Sequence, residues 1–370
     1  MGKNTGRMDN AEKERDKKVI IWSTEIMNLL QGLPVGGIAV QMHFWAQAFV
    51  ENGWKVYSFS TINKQCVLSG IVFNYVRRIR FINFLFEWWR AYKYISMIRP
   101  DIVIYRGANR ALLPLALFSK LFRVRLVFFS ASDVNFEPGK ELVGNELNRK
   151  SYQHSIRLIS YFVTQNKYQH DTLLKNYSKK SLILYNIWGR YLVLGGNTKK
   201  SCDVVWVANF RRLKRAEWGI HAAEKLPNYS FVMAGGICGD EDYYENMRLR
   251  AVQLSNMQFL GGISFDDSTK LISSAKVLIC TSTFEGFPNT FLQAWSQCIP
   301  VISTVDPSGV IASNNLGVVV ASEDELIQAL QNVLSDEIYY KELSKAVSEF
   351  FESNCSSQSG YKRLIKFLQQ

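Results

Sequence analysis

Residues 281–300, TSTFEGFPNTFLQAWSQCIP, set a carboxylate at Glu285 just ahead of a turn at Gly286, Phe287 and Pro288. Proline suits the mouth of a helix, where its missing N–H costs nothing. Asn289 and Thr290 follow, able to cap that helix or to aim its free backbone N–H groups at an anion. Glu285, an acceptor only when ionised, would take hydrogen bonds from hydroxyls beside the same mouth. Phosphate donors next to a hydroxyl-reading carboxylate suit a sugar nucleotide, although an ordinary strand–turn–helix uses the same spacing. Further upstream, residues 211–215, RRLKR, put Arg211, Arg212, Lys214 and Arg215 in one short loop. Such a loop can clamp a diphosphate or simply sit solvated. Gly36 and Gly37 precede a helical pattern and either let backbone approach a phosphate or serve a tight turn. Asp133 follows the apolar run 126–130, where it is a candidate acid–base group or hydroxyl binder, and equally a turn cap.

The wording of residues 285–303 resembles the donor-site signature of the family 4 retaining glycosyltransferases, which have the GT-B fold. That signature has two glutamates separated by seven residues, then an alanine and a short strand. Glu285 and Gln293 keep the separation, and residues 298–303 match the strand, but the second acid is a glutamine. The resemblance implies that Glu285 lies against the donor sugar and that position 293 holds the ribose hydroxyls. There a glutamine keeps one acceptor oxygen and loses the charge. It further implies donor binding by Lys214 and by Gly36 and Gly37 with Gln41, and a turn at Gly261 beneath the nucleotide base. Asn209 falls where relatives carry arginine, with Arg211 or Arg212 as the substitute. Gln165, Asn166 and Gln169 resemble the face of the interdomain hinge. Relatives place a histidine near the strand end that here carries Ser132 and Asp133, so Glu285, Lys214 and Asp133 are the catalytic candidates.

Strand-like and helix-like runs alternate in the order needed to position these groups. Residues 19–24 read as a buried strand, 38–52 as a helix and 55–59 as the next strand, the opening of a doubly wound sheet. Strands are expected near 101–105, 126–130, 161–164 and 182–186, with helices over 111–122, 142–158 and 167–176. The pattern then restarts, with strands at 202–208 and 230–236, and a helix at 217–226. A restart argues for two Rossmann-like parallel-sheet domains facing each other across a cleft. The expected division is a disordered lead over 1–18, an acceptor-side domain over 19–196 and a linker over 197–201. A donor-binding domain over 202–352 and a helix crossing back within 353–370 complete it. Residues 77–99 predict a basic, aromatic-rich helix with Phe81, Phe84, Leu85, Trp88, Trp89, Tyr92 and Ile95 along one side. Its apolar side can pack on the sheet, or lie in a membrane interface through Arg80, Trp88, Trp89, Arg90 and Lys93.

The 370 residues carry a net charge of +12, unevenly spread. Residues 1–200 hold 30 basic and 13 acidic side chains and residues 201–370 hold 14 and 19, giving +17 and −5. A basic half suggests an anionic surface or substrate facing it; no nucleic-acid recognition motif accompanies the charge. No apolar run reaches the roughly 18 residues of a membrane-spanning helix, and the polar opening lacks the apolar core of a signal peptide. The expected setting is therefore cytoplasmic, with a peripheral place on the inner face of the plasma membrane as the alternative. The six cysteines show no metal spacing. The expected reaction is transfer of a sugar from a nucleotide diphosphate sugar to a hydroxyl of a saccharide, lipid-linked in cell-surface polysaccharide synthesis, with retained configuration. No metal or other cofactor is expected, since cationic side chains can hold the diphosphate. A sugar-nucleotide epimerase, or a non-catalytic sugar-nucleotide-binding protein, would use the same scaffold.

Overall fold

Val19, Ile20 and Ile21 are fully buried, as expected of a strand covered by helices on both faces of a parallel sheet. The computed structural model describes residues 16–33, 35–62, 65–77, 83–189 and 200–370. The strands of the first lobe are β1 (Lys18–Ile21), β2 (Lys55–Ser60), β3 (Cys66–Leu68), β4 (Ile71–Tyr75), β5 (Ile102–Arg106), β6 (Arg125–Phe129), β7 (Tyr161–Thr164) and β8 (Leu182–Ile183). They form one sheet in the order β3-β4-β2-β1-β5-β6-β7-β8, parallel except for the β3–β4 pair. Its helices are α1 (Ile26–Leu30), α2 (Gly37–Glu51), α3 (Asn83–Ile98), α4 (Leu112–Leu121), α5 (Glu146–Leu158) and α6 (Lys167–Tyr177).

The second lobe repeats the plan. Strands β9 (Cys202–Val207), β10 (Phe231–Ala234), β11 (Met257–Gly261), β12 (Ala275–Cys280), β13 (Val301–Ser303) and β14 (Gly317–Val319) are ordered β11-β10-β9-β12-β13-β14. Helices α7 (Ala216–Lys225), α8 (Glu241–Ala251), α9 (Phe265–Ser273), α10 (Asn289–Trp295), α11 (Val310–Ser313), α12 (Glu323–Ser335), α13 (Glu337–Phe350) and α14 (Ser357–Leu368) surround it. Alternating strand and helix, with two parallel sheets, is the two-lobed GT-B arrangement. Strand order reverses beside β1 and beside β9, and the loops at those carboxyl ends are where open α/β sheets bind ligands.

Several boundaries differ from the sequence expectation for local reasons. The helix expected from 142 starts at Glu146, because the Asn145 side chain accepts from the Asn148 N–H at 3.0 Å and caps it there. Helix α13 starts at Glu337, capped by Asp336 through the N–H groups of Ile338 and Tyr339. The β3–β4 hairpin and α8 have no counterpart in the sequence expectation. Lys18, expected in the lead, is the first residue of β1; residues 1–15, and 197–199 of the expected linker, lie outside the described residues. α14 packs on the first lobe: Trp54 donates to the Tyr361 hydroxyl at 2.7 Å, and Arg363 to the Ile183 carbonyl at 3.0 Å. Between the lobes Trp188 stacks against Phe44 of α2 and Phe265 of α9, with ring centres 4.4 and 5.6 Å away.

Candidate active site

The basic loop after β9 is sewn onto the strand end after β12. The Thr283 N–H donates to the Leu213 carbonyl at 2.8 Å, and the Thr281 hydroxyl to the carbonyls of Lys214 and Arg215 at 2.6 and 2.9 Å. Trp206 of β9 donates its indole N–H to the same hydroxyl at 3.0 Å. In return the Arg215 Nε donates to the Thr281 carbonyl at 2.6 Å, while its guanidinium lies over the Trp218 ring. Arg215 thus works as a brace, not a ligand, and sits in the left-handed region with φ 47°. The braced loop delivers Lys214 to Glu285: their side chains form an ion pair, and the Ser282 hydroxyl donates to the same Glu285 oxygen at 3.0 Å. Thr281, Ser282, Trp206 and the bracing role of Arg215 escaped sequence reasoning; Thr281 and Ser282 border the motif but carry no charge to flag them.

A cavity of about 280 Å³ opens over this pair, lined also by Asn209, Arg211, Pro288, Asn289 and Thr290. A second, of about 460 Å³, shares Asn209, Lys214, Asn289 and Thr290 and extends to Gly37, Gly235, Gly236, Ser268 and Gln293. Gly235 is obligatory: a Cβ there would stand 1.7 Å from the Ala208 carbonyl oxygen. Pro288 is the residue before α10, not within it, and no side chain caps the helix. The N–H groups of Asn289 and Thr290, which an α-helix leaves without partners in its own first turn, therefore edge the cavity. The Asn289 side chain is used otherwise, its Oδ1 accepting from Gln41 Nε2 at 3.1 Å. Gln41, buried on α2, also exchanges two hydrogen bonds of 3.0 Å with the backbone of Ile187. Gly37 approaches from the first lobe so closely that a Cβ would lie 2.9 Å from Asn289 Nδ2, whereas a Cβ at Gly36 would meet nothing.

Glu285, Lys214, Asn209, Arg211, Gly37, Pro288, Asn289, Thr290 and Gln293 thus converge on one cleft. Others do not. Arg212 turns outward to Asp240 at 2.8 Å, so of the two candidate arginines Arg211 is the one facing the cavity. Phe287 packs against Tyr185 and Trp295 as part of the core. Gly286 is exposed with no neighbour crowding it, and Gly261, at φ 67°, lines neither cavity; a Cβ there would lie 3.0 Å from the Tyr244 hydroxyl. Asp133 does stand beyond β6, but its Oδ1 accepts from Asn166 at 3.0 Å and Gln169 at 2.8 Å, and it lines neither cavity.

Of the membrane candidates, Arg80 lies outside the described residues. The aromatic band of α3 is divided. Ile95 is buried, Trp88 packs edge-on to Phe118, and Leu85, Trp89 and Tyr92 remain exposed, with the Lys93 ammonium 4.6 Å over the Trp89 ring. Arg90 points inward, paired with Glu87 at 3.1 Å, because the helix turns that side toward Trp22 and Phe59.

Two Rossmann-like parallel-sheet lobes define the class, the GT-B architecture. Residues 195–350, spanning most of the second lobe, match the family model described as Glycosyl transferases group 1. A Methanocaldococcus jannaschii protein described as an uncharacterized glycosyltransferase is 23% identical, over 58% of this chain and 59% of its own length. Among solved structures, sucrose-phosphate synthase from Thermosynechococcus elongatus superposes with a TM-score of 0.67 at 15% identity, covering 95% of this chain and 98% of that one. WaaG, a glycosyltransferase involved in lipopolysaccharide biosynthesis, gives 0.61 at 16%, covering 94% and 98%. At these identities the shared property is the fold.

Proposed function

We propose that this protein is a retaining glycosyltransferase that moves a sugar from a nucleotide diphosphate sugar to a hydroxyl of a saccharide acceptor. The observation carrying the reading is the Lys214–Glu285 pair held at the mouth of α10. Without ligand the ammonium and carboxylate satisfy each other; an entering diphosphate competes for the ammonium. Lys214, Arg211 and the N–H groups at the start of α10 then stabilise the charge that grows on the leaving diphosphate, fixed donors of this type being worth roughly 2.7–4 kcal/mol each. Freed from the lysine, Glu285 is available to hydroxyls of the donor sugar while Ser282 keeps it in place. Cationic side chains supply the charge a metal would otherwise bring, and the leaving phosphate can serve as base, as the family resemblance implies.

A lipid-linked acceptor in cell-surface polysaccharide synthesis, met at the cytoplasmic face of a membrane, fits the strongly basic first half and the exposed Leu85, Trp89 and Tyr92 stripe with Lys93 beside it. WaaG, which shares the fold, is involved in lipopolysaccharide biosynthesis, and this points the same way. Thermal stabilisation by a panel of nucleotide sugars names the donor, since ligand binding raises melting by mass action. Turnover of that donor should then fall at least a hundredfold in Lys214→Ala and Glu285→Ala, an estimate on the order of one lost oxyanion-type donor. Parent-like turnover in both variants overturns the site.

A further inference from the structure

A cavity of about 540 Å³ lies in the first lobe at the carboxyl ends of β1 and β5. Four arginines line it, Arg77, Arg90, Arg106 and Arg110, against two carboxylates, Glu25 and Glu87. Glu87 is committed to Arg90. Arg106 is the informative one. It rises from the end of β5 and donates from Nη2 to Asn186 Oδ1 at 2.7 Å, an amide oxygen that also accepts from Gln165 at 2.7 Å. Its buried Nε has no hydrogen-bond partner, nor has that of Arg90, and among the described residues no carboxylate pairs with Arg106. Burial alone lowers its pKa, to about 10. A half-buried guanidinium whose Nε is shut from water without a partner is costly unless an anion completes it, and its planar fork matches phosphate oxygens two at a time.

The cavity also adjoins the donor cleft. Ile38 lines it, while the preceding residue, Gly37, lines the cavity shared with Asn289 and Gln293. On its other side α3 contributes Glu87 and Arg90 inward and leaves Leu85, Trp89 and Tyr92 exposed outward. We propose that this cavity is an acceptor subsite for a phosphate or diphosphate group, with Arg90 and Arg106 at its floor and Arg77 and Arg110 completing the cage. The inference deepens the glycosyltransferase reading by assigning the acceptor an anionic group. Glycosyl phosphates borne on a lipid and soluble sugar phosphates share this chemistry. The exposed Leu85 and Trp89 of α3 flank Phe86 and Glu87, which line the cavity.

Calorimetric titration of the full chain with glucose 1-phosphate, decyl phosphate and neutral decyl glucoside tests the proposal without any glycosyl transfer. The two phosphates should bind and the glucoside should not. Tighter binding of decyl phosphate identifies a lipid-borne anion, and equal binding a soluble one. Replacing Arg77, which is exposed, and Arg110, which is half-buried, by alanine should weaken both phosphates roughly tenfold or more, each charged hydrogen bond being worth about that. The binding that is lost in the double arginine variant should persist in Lys214→Ala, since Lys214 does not line this cavity. The proposal falls if the glucoside binds as well as the phosphates, if no phosphate binds, or if binding survives in the double arginine variant. It falls equally if binding vanishes in Lys214→Ala, which would place the anion in the donor cleft. Phosphate binding here with no nucleotide sugar stabilising the protein would refute the donor reading and leave this subsite standing.

Discussion

Changing Gln293 to glutamate restores the residue that the donor signature has at this position, and the surroundings of Gln293 predict that the protein resists it. Gln293 is buried on α10, and its Nε2 donates to Ser268 Oγ at 3.1 Å and Thr269 Oγ1 at 3.0 Å. Both hydroxyls have already spent their single proton on the Phe265 carbonyl, at 2.7 and 3.1 Å. Each can therefore only accept at this junction, and the amide donates to both. A carboxylate is acceptor-only and would face two oxygen lone pairs in a buried site. An unsatisfied buried group costs about 1–3 kcal/mol, and more when charged. If the mismatch lifts the new carboxyl by about two pKa units, the loss at neutral pH is about 2.7 kcal/mol.

The sign follows from proton counts. The carboxyl introduced by Gln293→Glu, its pKa raised in the folded state, would hold its proton through a window, from about pH 4.3 upward, where the unfolded chain has lost it. Its protonated form is compatible with the fold, so the variant should be close to the parent near pH 4. Stability should then fall as pH rises to about 6.3, and stay low beyond. For a lobe of this size the deficit is roughly 5–10 °C in melting temperature. Urea or thermal unfolding of parent and Gln293→Glu at several pH values measures it. A variant as stable as the parent at pH 8 would refute the reasoning, for it would mean that Ser268 and Thr269 turn their protons from Phe265 to the carboxylate without cost.

Thr281→Val removes the hydroxyl on which Trp206 and the carbonyls of Lys214 and Arg215 meet; denaturant unfolding should show a loss of about 1–3 kcal/mol, and donor affinity should drop with it. Gly235→Ala drives a methyl into the Ala208 carbonyl, so the variant should unfold at distinctly lower denaturant than the parent or fail to accumulate as folded protein. His43, buried on α2, has its pKa pushed down to about 4 by burial, against a smaller opposing pull from Asp266. A depressed pKa gives stability that is complete above about pH 6.5 and drains away as pH falls toward 4, a total of roughly 3.4 kcal/mol for a shift of that size. His43→Gln should flatten the stability profile across that window, and an unchanged slope in urea titrations at pH 4.5 and 7 would assign the acid sensitivity elsewhere.

What the sequence disclosed and what it hid divide along a physical line. Strand runs such as 19–24 and 126–130 declare themselves because a parallel strand buried on both faces must be largely apolar. The helix mouth at Pro288, the cations of 211–215 and the carboxylate of Glu285 are legible because charge and backbone punctuation are properties of single residues. Partnership is not such a property. Arg211, Arg212 and Arg215 look alike in the sequence, yet one faces the cleft, one pairs with Asp240 on the surface and one braces the loop. Only the direction in which each leaves a short, stitched turn decides. Arg90 shows the same on α3, where the sequence offers it to a membrane interface and the fold turns it inward to a cavity. Gln293 is the sharpest case. Its deviation from the signature reads as a weakened ribose contact when only the strand–turn–helix is considered. Two hydroxyls from α9, some twenty-five residues upstream, make the amide the residue whose proton count fits. A substitution that departs from a motif can thus be set by the second layer of packing as well as by the ligand, and the pH profile of Gln293→Glu separates the two causes.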